Sequence, residues 1–139
     1  MDIKGFFNQY HLIGQEIDEK LEQLKHLREF AVRTTQVLTP DKVQVSAENR
    51  IESSVQKIID LESDIEADIK RLTEAQIEIE RTVAEVGDPI LQNVLRMRYL
   101  SNMTWEQIAE KLNYTSRNVY YLHQKALKST PAPVHAAGS

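Results

Sequence analysis

The side chains best suited to molecular recognition lie close together near the carboxyl end, in the order Ser116, Arg117, Asn118, Tyr120, Tyr121, Gln124, Lys125 and Lys128. Val119, Leu122 and Ala126 recur among them at helical spacing and mark an inward face, which leaves the polar and aromatic residues pointing elsewhere. Guanidinium, amide and hydroxyl groups donate hydrogen bonds to base edges, aromatic rings meet thymine methyl groups, and ammonium groups neutralise phosphates. The chemistry implied is recognition of double-stranded DNA. Each residue also has a plainer role open to it. Arg117 can pair with Glu106 or Glu110, and Gln124 and Lys125 can simply be solvated. Tyr120 and Tyr121 are helix neighbours that cannot face a groove equally, so Tyr121 is taken as groove-facing and Tyr120 as able to pack.

The residue types for catalysis are absent or badly placed. There is no cysteine, hence no disulfide and no thiolate metal site. His11, His26, His123 and His135 match no metal-ligand spacing. For His123, which shares the helix with the DNA-facing residues, a phosphate contact, a solvated role and a packed role are all open. Asp60, Glu62, Asp64, Glu66 and Asp68 form a solvated helix face with no histidine partners, unlike a carboxylate metal centre. No phosphate-binding glycine loop or nucleophile motif occurs. The expectation is a protein that is not an enzyme, with no cofactor, no metal and no small-molecule substrate.

Three short helical patterns between Pro89 and Lys128 must position the recognition residues. Ile90, Leu91, Val94 and Leu95, joined by Met97 and Leu100, give the first its apolar face. Ser101-Asn102-Met103 makes a turn, Thr104 caps the second helix, and Gln107 completes a capping box. Trp105, Ile108, Ala109 and Leu112 form the buried side of that helix, and Tyr99 joins Trp105 in the core. Asn113-Tyr114-Thr115 is the tight turn, with Asn113 suited to left-handed geometry. Thr115 or Ser116 caps the third helix. The sum is a helix-turn-helix, which presents its last helix to the major groove.

Arg98-Tyr99-Leu100, Met103-Thr104-Trp105-Glu106-Gln107-Ile108-Ala109, Leu112-Asn113-Tyr114-Thr115, Val119-Tyr120-Tyr121-Leu122-His123 and Lys125-Ala126-Leu127 carry a family likeness. The segment resembles region 4 of bacterial housekeeping sigma factors, and more closely the C-terminal domain of phage-encoded late-gene regulators of the ArpU/RinA type. A helical N-terminal half and the hinge Val86-Gly87-Asp88-Pro89 extend the likeness loosely. The resemblance implies that Ser116, Arg117, Tyr120, Tyr121 and Gln124 enter the major groove, and that the protein switches on phage packaging and lysis genes. Tyr120-Tyr121 stands where sigma factors carry Arg-Gln, so a −35 element is not the expected target.

The rest of the chain reads as an arm. A first helical pattern runs from about His11 to Leu38, with Ile17, Leu21, Leu24, Ala31 and Leu38 on a seam shared with Arg28 and Thr35, and Leu27, Phe30 and Val37 beside it. Thr39-Pro40-Asp41 ends it, because proline disfavours helical geometry in the residue before it. Lys42–Ala47 is a connector. A second pattern places Ile51, Val55, Ile58, Glu62, Ile65, Ile69, Leu72, Gln76, Ile79, Val83 and Val86 on a heptad seam that Gly87 ends. Its span from Ala47 to Val86 amounts to roughly 60 Å of helix, whose seam must be covered to be stable in water. The first helix, at roughly 40 Å, can fold back over part of it. Either this hairpin merely spaces other parts, or the remaining seam pairs with another subunit. The self-associating reading assigns Ile51, Val55, Ile58, Ile65, Ile69, Leu72, Ile79 and Val83 to the contact, with Glu62 and Gln76 either fixing register or oligomer state or lying at the margin of a broader interface.

Charge divides along the same line. The net charge of −4 conceals 11 Lys/Arg against 18 Asp/Glu in residues 1–86, and 6 against 3 in residues 87–139. A basic excess that small binds DNA weakly in one copy, so a homo-oligomer, dimer or higher, is expected. The N-terminal segment lacks the pattern of a signal peptide, and no apolar run has a membrane span's length. No membrane partner and a place in the cytoplasm of a bacterial host are therefore expected. The fold class expected is all-α, a long antiparallel helical hairpin or coiled coil followed by a small helix-turn-helix domain. Its parts are an arm over 1–86, a DNA-binding domain over 87–128 and a disordered, partly non-native tail over 129–139. The function expected is a sequence-specific regulator of transcription, an activator that also touches host RNA polymerase. The alternative is an interaction module whose coiled coil binds another regulator or a phage protein without binding DNA.

Overall fold

The computed structural model describes residues 2–36 and 44–131. The described residues are all-α, with no strand. They form α1 (Ile3–Gln36), α2 (Gln44–Ala84), α3 (Pro89–Tyr99), α4 (Trp105–Leu112) and α5 (Ser116–Ser129). Two compact units result, one of residues 14–70 and one joining residues up to Ile13 to those from Arg71 onward. Their limits fall inside α1 and α2, and Gly87-Asp88-Pro89 marks the break between α2 and α3.

α1 starts at Ile3, earlier than the expected His11. The Asp2 carboxylate accepts a hydrogen bond from the Gly5 N–H at 2.7 Å, and the Asp2 carbonyl accepts from Phe6 N–H at 2.9 Å, so the first turn is capped locally. α2 also begins early. Gln44–Ala47, expected in a connector, are helical, in keeping with the absence of Gly and Pro there. Val37, Leu38, Thr39-Pro40-Asp41, Lys42 and Val43 lie outside the described residues, as does most of the expected disordered tail, residues 132–139. Ser129, assigned to that tail, closes α5.

In the unit of residues 14–70 the two long helices run antiparallel. Leu24 packs with Leu61 and Ile65, flanked by Leu27 and Ile58. Two ion pairs bridge the helices, Lys20 Nζ to Asp68 at 2.6 Å and Arg28 to Glu62 at 3.1 Å. Eight residues forward on α1 thus correspond to six backward on α2, which sets direction and register. The hydrogen bond that Lys20 donates to the Asp68 carboxylate, aided by that group's negative charge, raises the Lys20 pKa. Along α2 the buried line here is Ser54, Leu61, Ile65 and Asp68, whereas Val55, Glu62 and Ile69 of the expected seam are exposed. A seven-residue repeat offers two adjacent lines that share Ile58 and Ile65, and α1 covers the one containing Leu61. Ile51 and Ile58 are partly buried. On α1, Ile17 and Leu24 are buried as expected, while Leu21 and Phe30 are exposed.

In the second unit Phe6, Phe7, Ile79, Val83, Leu91, Leu95, Tyr99 and Ala126 form one core. Ile79 and Val83, assigned to an intersubunit contact, are therefore buried within the chain's own core, and Leu72 is partly buried. Arg96 adds an ion pair to Glu80 of α2 at 3.0 Å.

Candidate nucleic-acid interface

Local sequence chemistry builds the three helices that carry the recognition residues. Gly87 turns the chain at φ +85°, Asp88 accepts from the Ile90 N–H, and Pro89 opens α3 where its missing N–H is harmless. At the end of α3, Asn102 takes the left-handed region at φ 54°, and the Met103 N–H reaches back to the Met97 carbonyl. Thr104 and Gln107 close a reciprocal capping box at 2.9 and 3.2 Å. Asn113 sits at φ 59° as the left-handed cap of α4, its expected geometry. Thr115, of the two candidates, caps α5 by accepting from the Asn118 N–H at 3.1 Å.

α5 packs on both α3 and α4. Ile108, Ala109 and Val119 form the core of the turn, with Met97, Met103, Trp105 and Leu112 around them. Arg98 locks the preceding turn from outside. Its guanidinium lies 4.0 Å from the Trp105 ring centroid and donates to the Met103 carbonyl at 2.9 Å. Trp105 is thus half-buried beneath a cation, and Tyr99 is buried.

The inward face of α5 is Val119, His123 and Ala126, with Leu122 only partly buried. His123 is 1% exposed, so it touches no phosphate. Its Nε2 and the Tyr99 hydroxyl are hydrogen-bonded at 2.6 Å, its ring stands edge-on to Trp105 at 4.7 Å, and its Nδ1 is buried without a hydrogen-bond partner. Burial, with Arg98 and Lys4 adding positive charge nearby, pushes the His123 pKa down to about 4. Burial pushes the Tyr99 hydroxyl up to about 12. His123 is a neutral structural bolt between α5 and α3.

Sequence reasoning held a packed role open for His123 but missed its Tyr99 partner, although the spacing of His123 between Val119 and Ala126 carried the signal for burial. It also missed Phe6 and Phe7. Phe7 stacks on Tyr99 at 5.0 Å, and both phenylalanines share a core with Ala126, so the first turns of α1 brace α5.

The outward face holds the expected recognition residues. Ser116, Arg117, Asn118, Tyr120, Tyr121, Lys125 and Lys128 are exposed, and Gln124 is half-buried. Arg117, Tyr121, Gln124 and Lys128 follow one another at steps of four, three and four, which aligns them in one stripe. Among the described residues Arg117 makes no ion pair with Glu106 or Glu110. Tyr120 meets Trp105 edge-on at 5.7 Å yet keeps half its surface, whereas Tyr121 is 62% exposed. Tyr120 therefore flanks the stripe and Tyr121 lies within it. The stripe offers fork-shaped, amide and ammonium donors beside an aromatic ring and has no carboxylate, so it suits an anionic, hydrogen-bonding partner. Among the described residues no cluster of histidine and carboxylate side chains has the arrangement of a metal site, and no helix is long and apolar enough to cross a membrane.

Neither a curated protein nor a solved structure matches the chain. A family model does, over residues 32–130, which take in the end of α1 and the whole of α2, α3, α4 and α5. Spanning well over half of the sequence, that match establishes that the chain belongs to the family described as Protein of unknown function (DUF1492).

Proposed function

We propose that this chain is a sequence-specific double-stranded DNA-binding regulator of transcription, an activator of phage packaging and lysis genes that works in the cytoplasm of a bacterial host. The observation that carries the proposal is the exposed stripe of Arg117, Tyr121, Gln124 and Lys128 on a helix braced by α3, α4 and the first turns of α1. Arg117 donates to guanine, Gln124 to adenine, Tyr121 meets a thymine methyl, and Lys125 and Lys128 hold phosphates. The Ser116 hydroxyl and the Asn118 side chain lie at the start of the helix, the end that approaches base edges in this motif. Two or more copies act together, because six Lys/Arg against three Asp/Glu in residues 87–139 provide little charge per head. The sign of regulation rests on the resemblance to ArpU/RinA-type regulators, and activation requires a contact with host RNA polymerase.

Fluorescence anisotropy with promoter fragments from upstream of packaging genes tests the reading. The wild type should bind one fragment well above the others, and Arg117→Ala should weaken that binding while leaving helix content unchanged. Failure to bind any duplex at low salt rejects it. That result favours the interaction-module reading, whose support is the exposure of Tyr120 and Tyr121, since tyrosine is enriched at protein interfaces.

A further inference from the structure

A major groove is about 12 Å wide and lies between two phosphate backbones, so a helix seated in it has a backbone on either side. The turn of α5 puts Lys125 on one side of the stripe formed by Arg117, Tyr121, Gln124 and Lys128, and Tyr120 on the other. Lys125 supplies the first side with charge. On the second side the α5 residues are Tyr120, His123 and Leu127, and none is a cation, since His123 is buried and neutral.

Other elements bring charge to that second side. The Tyr120 ring lies 5.7 Å from Trp105 and 6.4 Å from His123, and the Arg98 guanidinium sits 4.0 Å over the Trp105 ring. Arg98 donates to the Met103 carbonyl, and a guanidinium carries five N–H groups, so it can serve a second acceptor. Lys4 comes from α1. It is exposed and lies one helical turn before Phe7, which stacks on Tyr99 at 5.0 Å, and Tyr99 is bonded to His123 at 2.6 Å. Beyond burial itself, the charges that act on His123 are those of Arg98 and Lys4, with no carboxylate to offset them. Among the described residues neither cation forms an ion pair. The Asp2 carboxylate accepts from the Gly5 N–H, and Glu106, next to Trp105, pairs with neither. Two such cations around one neutral core raise the local potential and favour an anionic ligand.

We propose that Lys4 and Arg98 form a phosphate-binding site on the Tyr120 side of α5 and hold the DNA backbone along that wall of the groove, opposite the backbone met by Lys125. This rests on the DNA-binding function proposed above and extends its contact surface to the first turn of α1, outside the residues 32–130 that match the family. The phosphate is that of a duplex, because exposed Tyr120 joins the two cations to the outward stripe of α5. Lys4 also adds a cation to a head whose own basic excess is small.

Anisotropy titrations of the full chain over a series of salt concentrations test the site, with the preferred promoter fragment and an unrelated duplex as probes. Lys4→Ala should weaken both duplexes alike, by about ten-fold at low salt, and lower the slope of log K against log salt by about 0.9 per head. Lys4→Arg should keep the wild-type slope. The urea transition of Trp105 should stay unchanged in both variants, because Lys4 is exposed. Arg98→Gln should lower the slope by a like amount, but it also removes the contact with Trp105, so the Lys4 variants decide. Lys57→Ala, an exposed charge in the unit of residues 14–70, should leave the slope as it is. An unchanged slope in Lys4→Ala, or an equal loss in Lys57→Ala, overturns the site while leaving DNA binding in place. A wild type that binds neither duplex overturns the DNA-binding reading and this site with it.

Discussion

Arg117 carries more of the proposed specificity than any other side chain. It is exposed and free of the ion pairs that its acidic neighbours could have offered. A bidentate arginine–guanine contact discriminates by about 1–3 kcal/mol, so Arg117→Ala should lower specific affinity by roughly 5- to 150-fold in anisotropy titrations. Lys128→Ala should act differently. If Lys128 holds one phosphate, its loss should reduce the slope of log K against log salt by about 0.9 per head and weaken all duplexes alike. His123 sets a pH dependence instead. Its pKa is about 4 in the folded protein against an ordinary 6.5, so between those values the unfolded chain binds the additional proton. Stability is thus fully present above pH 6.5 and is lost as pH falls toward 4, by an amount on the order of 3 kcal/mol. Urea unfolding followed by Trp105 fluorescence should show this loss, and His123→Gln should flatten it while lowering stability at pH 7.

The elements joining these residues separate what local chemistry encodes from what packing decides. The Thr104–Gln107 box, the Asn113 cap and the Gly87-Asp88-Pro89 break were legible because each is fixed by residues only a few positions apart. The start of α1 was not. Phe6 and Phe7 are adjacent, which gives no helical periodicity, and their value comes from Tyr99 and Ala126 far along the chain. The line of α2 that packs was equally hidden, since the lines through Leu61 and Glu62 fit the same repeat until α1 covers one. The outward placement of Arg117, Tyr121 and Lys128 on α5 was legible, while the depth of His123 depended on a tertiary partner, Tyr99. Phe7→Ala should therefore destabilise the helix-turn-helix despite its distance in sequence, by about 3–5 kcal/mol, visible in the Trp105 unfolding transition. Gly14 lies within α1 with nothing inside 4 Å of an added Cβ. Gly14→Ala should stabilise the protein by about 0.5–1 kcal/mol in the same assay, because glycine loses more backbone entropy in a helix.

At the scale of the molecule, residues 1–86 are acidic and residues 87–139 mildly basic, and the proposed binding of DNA falls to the basic part. The long helices bury one line of their heptad repeat within the chain and leave Val55 and Ile69 of the adjacent line exposed. α5 packs on three neighbours, α3, α4 and the first turns of α1, and these fix the placement of its outward stripe. DNA footprinting of the full chain on promoter DNA from upstream of packaging genes tests the central claim most directly. The account expects a discrete protected site with the wild type that disappears with Arg117→Ala. The absence of any discrete site at low salt, or the same protection from Arg117→Ala, contradicts it.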